Sequence, residues 1–271
     1  MAGVSAPAGV ERIADAFSAS GRHAALMPYL MGGYPDVAAS LRIGEAFADA
    51  GADLIEIGVP FSDPLADGPV IQAAGQLALE RGATFDAVLE QVASPLGQRL
   101  PVVLMCYANV VLAHGPETVV QRLAACSVAG LIVPDLPAEE AGELRALCDG
   151  QGVALVPLVA PTTQPEGLAR IAAVARGFAY VVSVTGVTGE RGELPAELES
   201  VIERVRAAGA DVPIAVGFGI ATPEQAARVA DIADGVIIGS RLVRTLADAP
   251  ALDQGIADAS AFLRAVAEVL T

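Results

Sequence analysis

Short apolar runs recur along the chain at 24–31, 53–59, 101–107, 130–135, 153–159, 178–184, 213–219 and 235–240. Most are nearly continuous in Val, Ile, Leu and Met rather than alternating, the pattern of parallel strands covered on both faces. Between them lie segments of helical period with start and stop signals. One opens at Asp36 and stops at Gly51, one occupies 136–152, and one begins with Thr222 as cap, Pro223 in the first turn and Glu224 beside it. Strands alternating with helices indicate parallel βαβ units. Eight such units predict an α/β fold, a single (β/α)8 TIM barrel spanning residues 1–271, with an extra N-terminal helix near Val10 to Ser18. A doubly wound open sheet is the competing architecture, and no GxGxxG follows an early strand to favour it.

The run at 53–59, "DLIEIGV", carries a carboxylate among apolar neighbours. Successive strand side chains point to opposite faces, so Ile55, Ile57 and Val59 share one side and Leu54, Glu56 and Gly58 the other. With the isoleucines toward the helical layer, Glu56 points into the barrel near its catalytic end. Burial raises a carboxyl pKa and suits it to proton transfer near neutral pH; the alternative is a carboxylate locked in a structural polar network. The loop that follows, "PFSDPLADGP", is too long for a plain βα turn and brings Asp63 and Asp67 to the barrel mouth, although Asp-Gly also favours a simple turn. The connection after the sixth run, "TGVTGERGELP", is long as well.

Glycines cluster after the sixth, seventh and eighth runs, in "TGVTG", "VGFGIATP" and "IIGSR". Backbone N–H groups at helix N-termini bind phosphate, and glycine permits the close approach; barrels commonly place such a site after strands seven and eight. Ser240 offers a hydroxyl there or caps the next helix. Tyr180 has the orientation to line the pocket; Tyr107 and Met105 could do likewise, with core packing the reading that pattern favours. His23 and His114 are isolated, in surface or loop positions, and no metal site is expected.

Composition narrows the chemistry. The chain has 16 basic and 32 acidic residues, a net charge of −16, and every basic residue is arginine. Without lysine there is no Schiff base to a carbonyl substrate or to pyridoxal phosphate on this chain, and no Walker-type phosphate loop. An acidic chain argues against nucleic acid and anionic membrane as partners. Cys106, Cys126 and Cys148 lack metal-type spacing and read as reduced residues of a cytoplasmic protein, with neither a secretory leader nor a membrane-spanning run expected.

The segment "IEIGVPFSDPLADGP" resembles the strand-two signature of the tryptophan synthase alpha subunit family. The likeness continues through "PYLMGGYPD", "LMCYANVV", "IVPDLP", "LVAPTT", "YVVSVTGVTG", "VGFGI" and "DGVIIGS", in order along nearly the whole chain. It implies retro-aldol cleavage of indole-3-glycerol phosphate to indole and glyceraldehyde 3-phosphate. By position, Glu56 matches the family's proton-transfer glutamate and Asp67 the aspartate that holds the indole N–H. Tyr180 matches the pocket tyrosine; Gly189, Gly219, Gly239 and Ser240 match the phosphate binders. Asp63 and Thr188 match the pair that joins the two long loops on closure. The resemblance further implies a beta subunit partner that carries pyridoxal phosphate and receives indole in an alpha2beta2 complex. Met31 and Val110 depart from the family pattern. A sugar-phosphate isomerase or epimerase, and a barrel that only binds and regulates a partner, are the other readings of the residues.

Overall fold

The apolar runs become nine short parallel strands in the computed structural model, which describes residues 8–182, 197–217 and 219–271. They are β1 (Ala25–Met31), β2 (Ile55–Gly58), β3 (Val102–Met105), β4 (Gly130–Ile132), β5 (Ala154–Leu155), β6 (Leu158–Val159), β7 (Ala179–Val182), β8 (Ile214–Gly217) and β9 (Gly235–Ile238). The sheet order is β5-β4-β3-β2-β1-β9-β8-β7-β6. Its two end members are halves of one run, 153–159, so the eight expected strands form a closed (β/α)8 barrel with its seam inside the fifth. The division falls where Pro157 has no N–H to donate. On one side of it Val156 N–H reaches the Leu131 carbonyl at 2.9 Å; on the other the Pro157 carbonyl accepts from Tyr180 N–H at 3.0 Å.

Helices form where capping chemistry permits. Asp36 accepts the Ala39 N–H at 2.8 Å and starts the helix Val37–Asp49. Thr222 and Gln225 form a reciprocal capping box at the head of Pro223–Ala230. The helix expected from 136 begins later, at Gly142, because the Pro137 carbonyl takes the N–H groups of Glu140 and Ala141 in preceding turns; Gly152, at φ 69°, ends it after Gln151.

The two faces of each strand bury different cores. Ile55, Ile57 and Val59 pack outward among helix side chains, as the alternation predicts. Leu54, Met27, Val103, Ile132, Phe178 and Ile237 fill the barrel interior. The extra N-terminal helix, Gly9–Ser18, closes the bottom of the ring: Ile13 is wholly buried in the interior core, and Phe17 lies 5.7 Å from Phe178. Arg12 pins that helix by donating to the Ser127 and Gly97 carbonyls at 2.8 and 2.5 Å. Two carboxylates tie strand starts at the same end. Asp53 accepts from Leu26 N–H and Arg22, and Asp234 accepts from Ile214 N–H, each at 2.8 Å. The opposite mouth, at the C-terminal strand ends, is left free for a ligand.

Candidate active site

A cavity of about 270 Å³ opens at that mouth. Glu56 and Asp67 line it on the β2 side, Tyr29 and Tyr180 form its inner walls, and Gly219, Gly239, Ser240 and Arg241 form its far rim. Apolar lining from Ile71, Met105, Leu158, Val182 and Ile237 completes it. A few convergent polar groups in an otherwise apolar hollow is the usual make-up of a small-molecule site.

Glu56 is 2% exposed, and among the described residues only the Tyr180 hydroxyl turns toward its carboxyl, short of a well-formed hydrogen bond. Its strand fixes this position, since β2 is bonded to β1 on one side and β3 on the other, with Glu56 level with Tyr29 and Val103. Loss of water pushes its pKa up from 4.5 to about 8; the nearby Asp67 charge adds to the rise and Tyr180 partly opposes it. Glu56 is therefore protonated at neutral pH. Asp67 rises to about 6, mainly through desolvation, while a hydrogen bond from the Tyr107 hydroxyl holds it lower. At pH 7 one carboxyl carries a proton and its neighbour carries a charge, the separation that divides acid from base roles.

The loop between β2 and the helix Pro69–Glu80 is held from both ends. Asp67 N–H closes a turn onto the Pro64 carbonyl at 3.1 Å. Gln72, in the first turn of the helix, donates to the Asp67 carbonyl at 2.8 Å. Tyr107 is the post against which the loop leans. Its oxygen accepts the Ala66 N–H at 3.1 Å and donates to the Asp67 carboxylate, and its ring stacks on Phe61 at 5.2 Å. Asp63, by contrast, is exposed and does not line the cavity.

Two glycines make room for the wall tyrosines. A methyl group on Gly58 would overlap the Tyr29 ring and hydroxyl, and one on Gly217 would overlap those of Tyr180. Each tyrosine thus leans along its strand over a bare neighbour. Tyr29 and Tyr180 are buried, and both phenols are driven well above their ordinary pKa by burial and then by surrounding acids. They act as neutral hydroxyls.

The far rim is built from strand ends and helix starts. Gly219 adopts φ 33°, a left-handed turn, and the capping Gln225 fixes the chain just beyond it by accepting from Ala221 N–H at 2.7 Å and Thr222 N–H at 3.3 Å. Gly239 is the cap residue of the helix Ser240–Asp248, with no side chain bonded across that cap. Ser240 therefore does not cap the helix, and its hydroxyl is available to a ligand. A methyl group on Gly239 would sit 3.6 Å from Tyr29, an ordinary contact, so the space beside this glycine belongs to the cavity rather than to packing.

The structure thus brings together Glu56, Asp67, Tyr180, Gly219, Gly239 and Ser240. Gly189 and Thr188 lie outside the described residues. His23 and His114 are exposed. Cys106 and Cys148 are buried free thiols pushed up to about 12 by desolvation, which leaves them unreactive. Among the described residues no cluster of His, Cys, Asp and Glu could hold a metal ion, and no helix is long and apolar enough to cross a membrane. Tyr29, Tyr107 and Arg241 were not assigned to the site by the residue pattern. The available signals were Tyr107 directly after a strand end and Arg241 inside the last glycine cluster.

The sequence model of the family described as tryptophan synthase alpha chain matches residues 16–270. The tryptophan synthase alpha chain of Carboxydothermus hydrogenoformans is 50% identical over 223 residues, covering 82% of this chain and 83% of the relative. A structure of Mycobacterium tuberculosis tryptophan synthase superposes with a TM-score of 0.87 at 37% identity, covering 97% of this chain and 98% of that one. The tryptophan synthase subunit alpha of Legionella pneumophila does so with a TM-score of 0.86 at 31% identity, covering 98% and 99%.

Proposed function

The chain belongs to the tryptophan synthase alpha chain family, and from that premise we propose that it cleaves indole-3-glycerol phosphate to indole and glyceraldehyde 3-phosphate. The observation that carries this reading is the buried Glu56 carboxyl, lacking any well-formed hydrogen bond, facing the same cavity as Asp67.

The difficulty in this reaction is where the electrons of the breaking carbon–carbon bond go. A lysine would accept them through a Schiff base, and this chain has none. The substrate's own ring supplies the alternative. Protonated Glu56 gives its proton to indole C3, and the ring becomes an iminium-like electron sink. Asp67, ionised at neutral pH, accepts a hydrogen bond from the ring N–H and stabilises the positive charge. The Glu56 carboxylate then takes the proton of the hydroxyl on the adjacent glycerol carbon. As that oxygen becomes a carbonyl, the C3–carbon bond breaks and its electron pair restores the indole ring. Glu56 ends protonated, as it began, and no cofactor on this chain is needed.

The phosphate lies against the N–H groups around Gly219, Gly239 and Ser240, with Gly189 as a fourth contributor. Tyr180 lines the ring pocket, and closure of the two long loops joins Asp63 to Thr188. The partner is a beta subunit that carries pyridoxal phosphate, in an alpha2beta2 complex of the cytoplasm that supplies tryptophan. Two large exposed apolar side chains at the catalytic mouth, Leu65 at 82% and Leu112 at 66%, support a docking face there.

The test is indole release from indole-3-glycerol phosphate by the purified chain, alone and with a beta subunit. Glu56→Gln keeps the shape but cannot exchange the proton, and removing a positioned acid–base group costs about 10²–10⁴ in rate. A folded Glu56→Gln chain working within about tenfold of the parent removes Glu56 from the mechanism.

A further inference from the structure

Arg241 is the one cation among the described residues that line the cavity. Its place is unusual on physical grounds. It is the second residue of the helix Ser240–Asp248, where the backbone N–H groups already present positive charge, so a cation there is unfavourable without an anion nearby. Although the chain has twice as many acidic as basic residues, no carboxylate pairs with Arg241 among the described residues. Instead its guanidinium lies over the Phe262 ring, 5.2 Å from the centroid. Stacking occupies the flat face of the group and leaves its N–H edge able to take up an anion.

A second observation points to a ligand in the same hollow. The buried Glu56 carboxyl, which has no well-formed hydrogen bond among the described residues, faces it from β2, while Arg241 stands on its rim beyond β9; these two strands flank β1 and its Tyr29. The cavity is therefore polarised, with proton-handling acids at one end and a cation beside open backbone N–H groups at the other. Next to Arg241, a methyl group on Gly239 would meet nothing nearer than Tyr29 at 3.6 Å.

We propose that Arg241 is a specificity-determining residue that pairs with the phosphate of the substrate and adds a full charge to the backbone N–H cradle. The proposal rests on the reading of this cavity as the indole-3-glycerol phosphate site. It gives Arg241 no part in bond breaking, so the residue acts on binding and not on the chemical step.

Calorimetry with glycerol 3-phosphate, together with indole-release kinetics, tests it on the full chain and on Arg241→Gln and Arg241→Lys. A charge-assisted contact predicts glycerol 3-phosphate binding weaker by about 10- to 100-fold in Arg241→Gln. KM should rise by a similar factor with kcat within about twofold, the sign of lost uniform binding. Arg241→Lys should recover much of the loss, and added sodium chloride should weaken the parent chain more than Arg241→Gln. Thermal melts of the variants matching the parent would exclude a folding defect. Glycerol 3-phosphate bound equally well by the parent and Arg241→Gln overturns the proposal, as does no binding by the parent. Arg241-dependent binding by a parent chain that releases no indole would retain the anion site and reject the reaction.

Discussion

Replacing Glu56 with glutamine should make the protein more stable, and increasingly so as pH rises. The carboxyl titrates near 4.5 in an exposed chain and at about 8 in the fold. Between those values the folded state holds a proton that the unfolded state has released, so folding stability falls as pH rises through the window. Above pH 8 the burial of Glu56 costs about 5 kcal/mol relative to a neutral side chain, at about 1.4 kcal/mol per pH unit. At pH 7 the same linkage gives about 3 kcal/mol. Glutamine has no proton to lose, and its stability lacks this dependence. Urea melts of both chains at pH 5, 7 and 8.5 isolate the effect, because Asp67 and Asp53 also titrate above their ordinary values and contribute to both chains alike. The difference between them should widen by a few kcal/mol across that range, while indole release is lost. A constant difference from pH 5 to 8.5 would mean that Glu56 is not desolvated in solution, and the case for it as an acid at neutral pH would fall with that result.

Three further outcomes follow from the same geometry. Gly58→Ala places a methyl group in the Tyr29 ring and should cost about 1–3 kcal/mol of stability by overpacking, with a raised KM as the ring is driven into the cavity; a neutral effect in both readouts would show that the ring has room to move. Tyr107→Phe removes the hydroxyl that steadies Ala66 and Asp67, so turnover should fall by roughly 5- to 10-fold for one hydrogen bond, and the acidic limb of its pH profile should move upward as Asp67 loses the bond that lowers its pKa; an unchanged profile would separate Tyr107 from Asp67. Adding a beta subunit should raise indole release by about 5- to 150-fold through coupling of docking to loop closure, and Leu112→Asp should blunt that rise; equal rates with the partner confirmed bound would exclude the coupling.

Strand alternation was enough to orient β2. With Ile55 and Ile57 committed to the helical layer, Glu56 had to enter the barrel, and Tyr180 was oriented by the same logic. The glycines at 219 and 239 were readable because close approach to an anion and a turn both ask for glycine. The tyrosine at 29 was not, since an aromatic within "ALMPYLM" looks the same whether it fills a core or walls a cavity. What separates the two is a diagonal neighbour on β2, because the register that sets Tyr29 level with Glu56 brings its ring over Gly58 two residues on. Tyr107 was legible as a strand-end residue but not as the support of a loop forty residues earlier. Arg241 drew no assignment, although it stands inside the last glycine cluster. The division of the fifth run at Pro157 depends on which neighbours each half pairs with, and that information is not local.

The seam at Pro157 also sets where this ring is easiest to part. β5 and β6 hold their neighbours through two residue pairs each, whereas β2 and β3 share four. A breathing motion that unlatches the barrel should therefore start there, with the amides of Ala154 to Val156 and of Leu158 and Val159 exchanging ahead of those in β2. The catalytic wall built on β1, β2 and β9 stands across the ring from that latch. Opening at the seam would let the vessel flex while leaving Glu56 among its strand neighbours, so thermal give and proton chemistry are assigned to opposite sides of one circle.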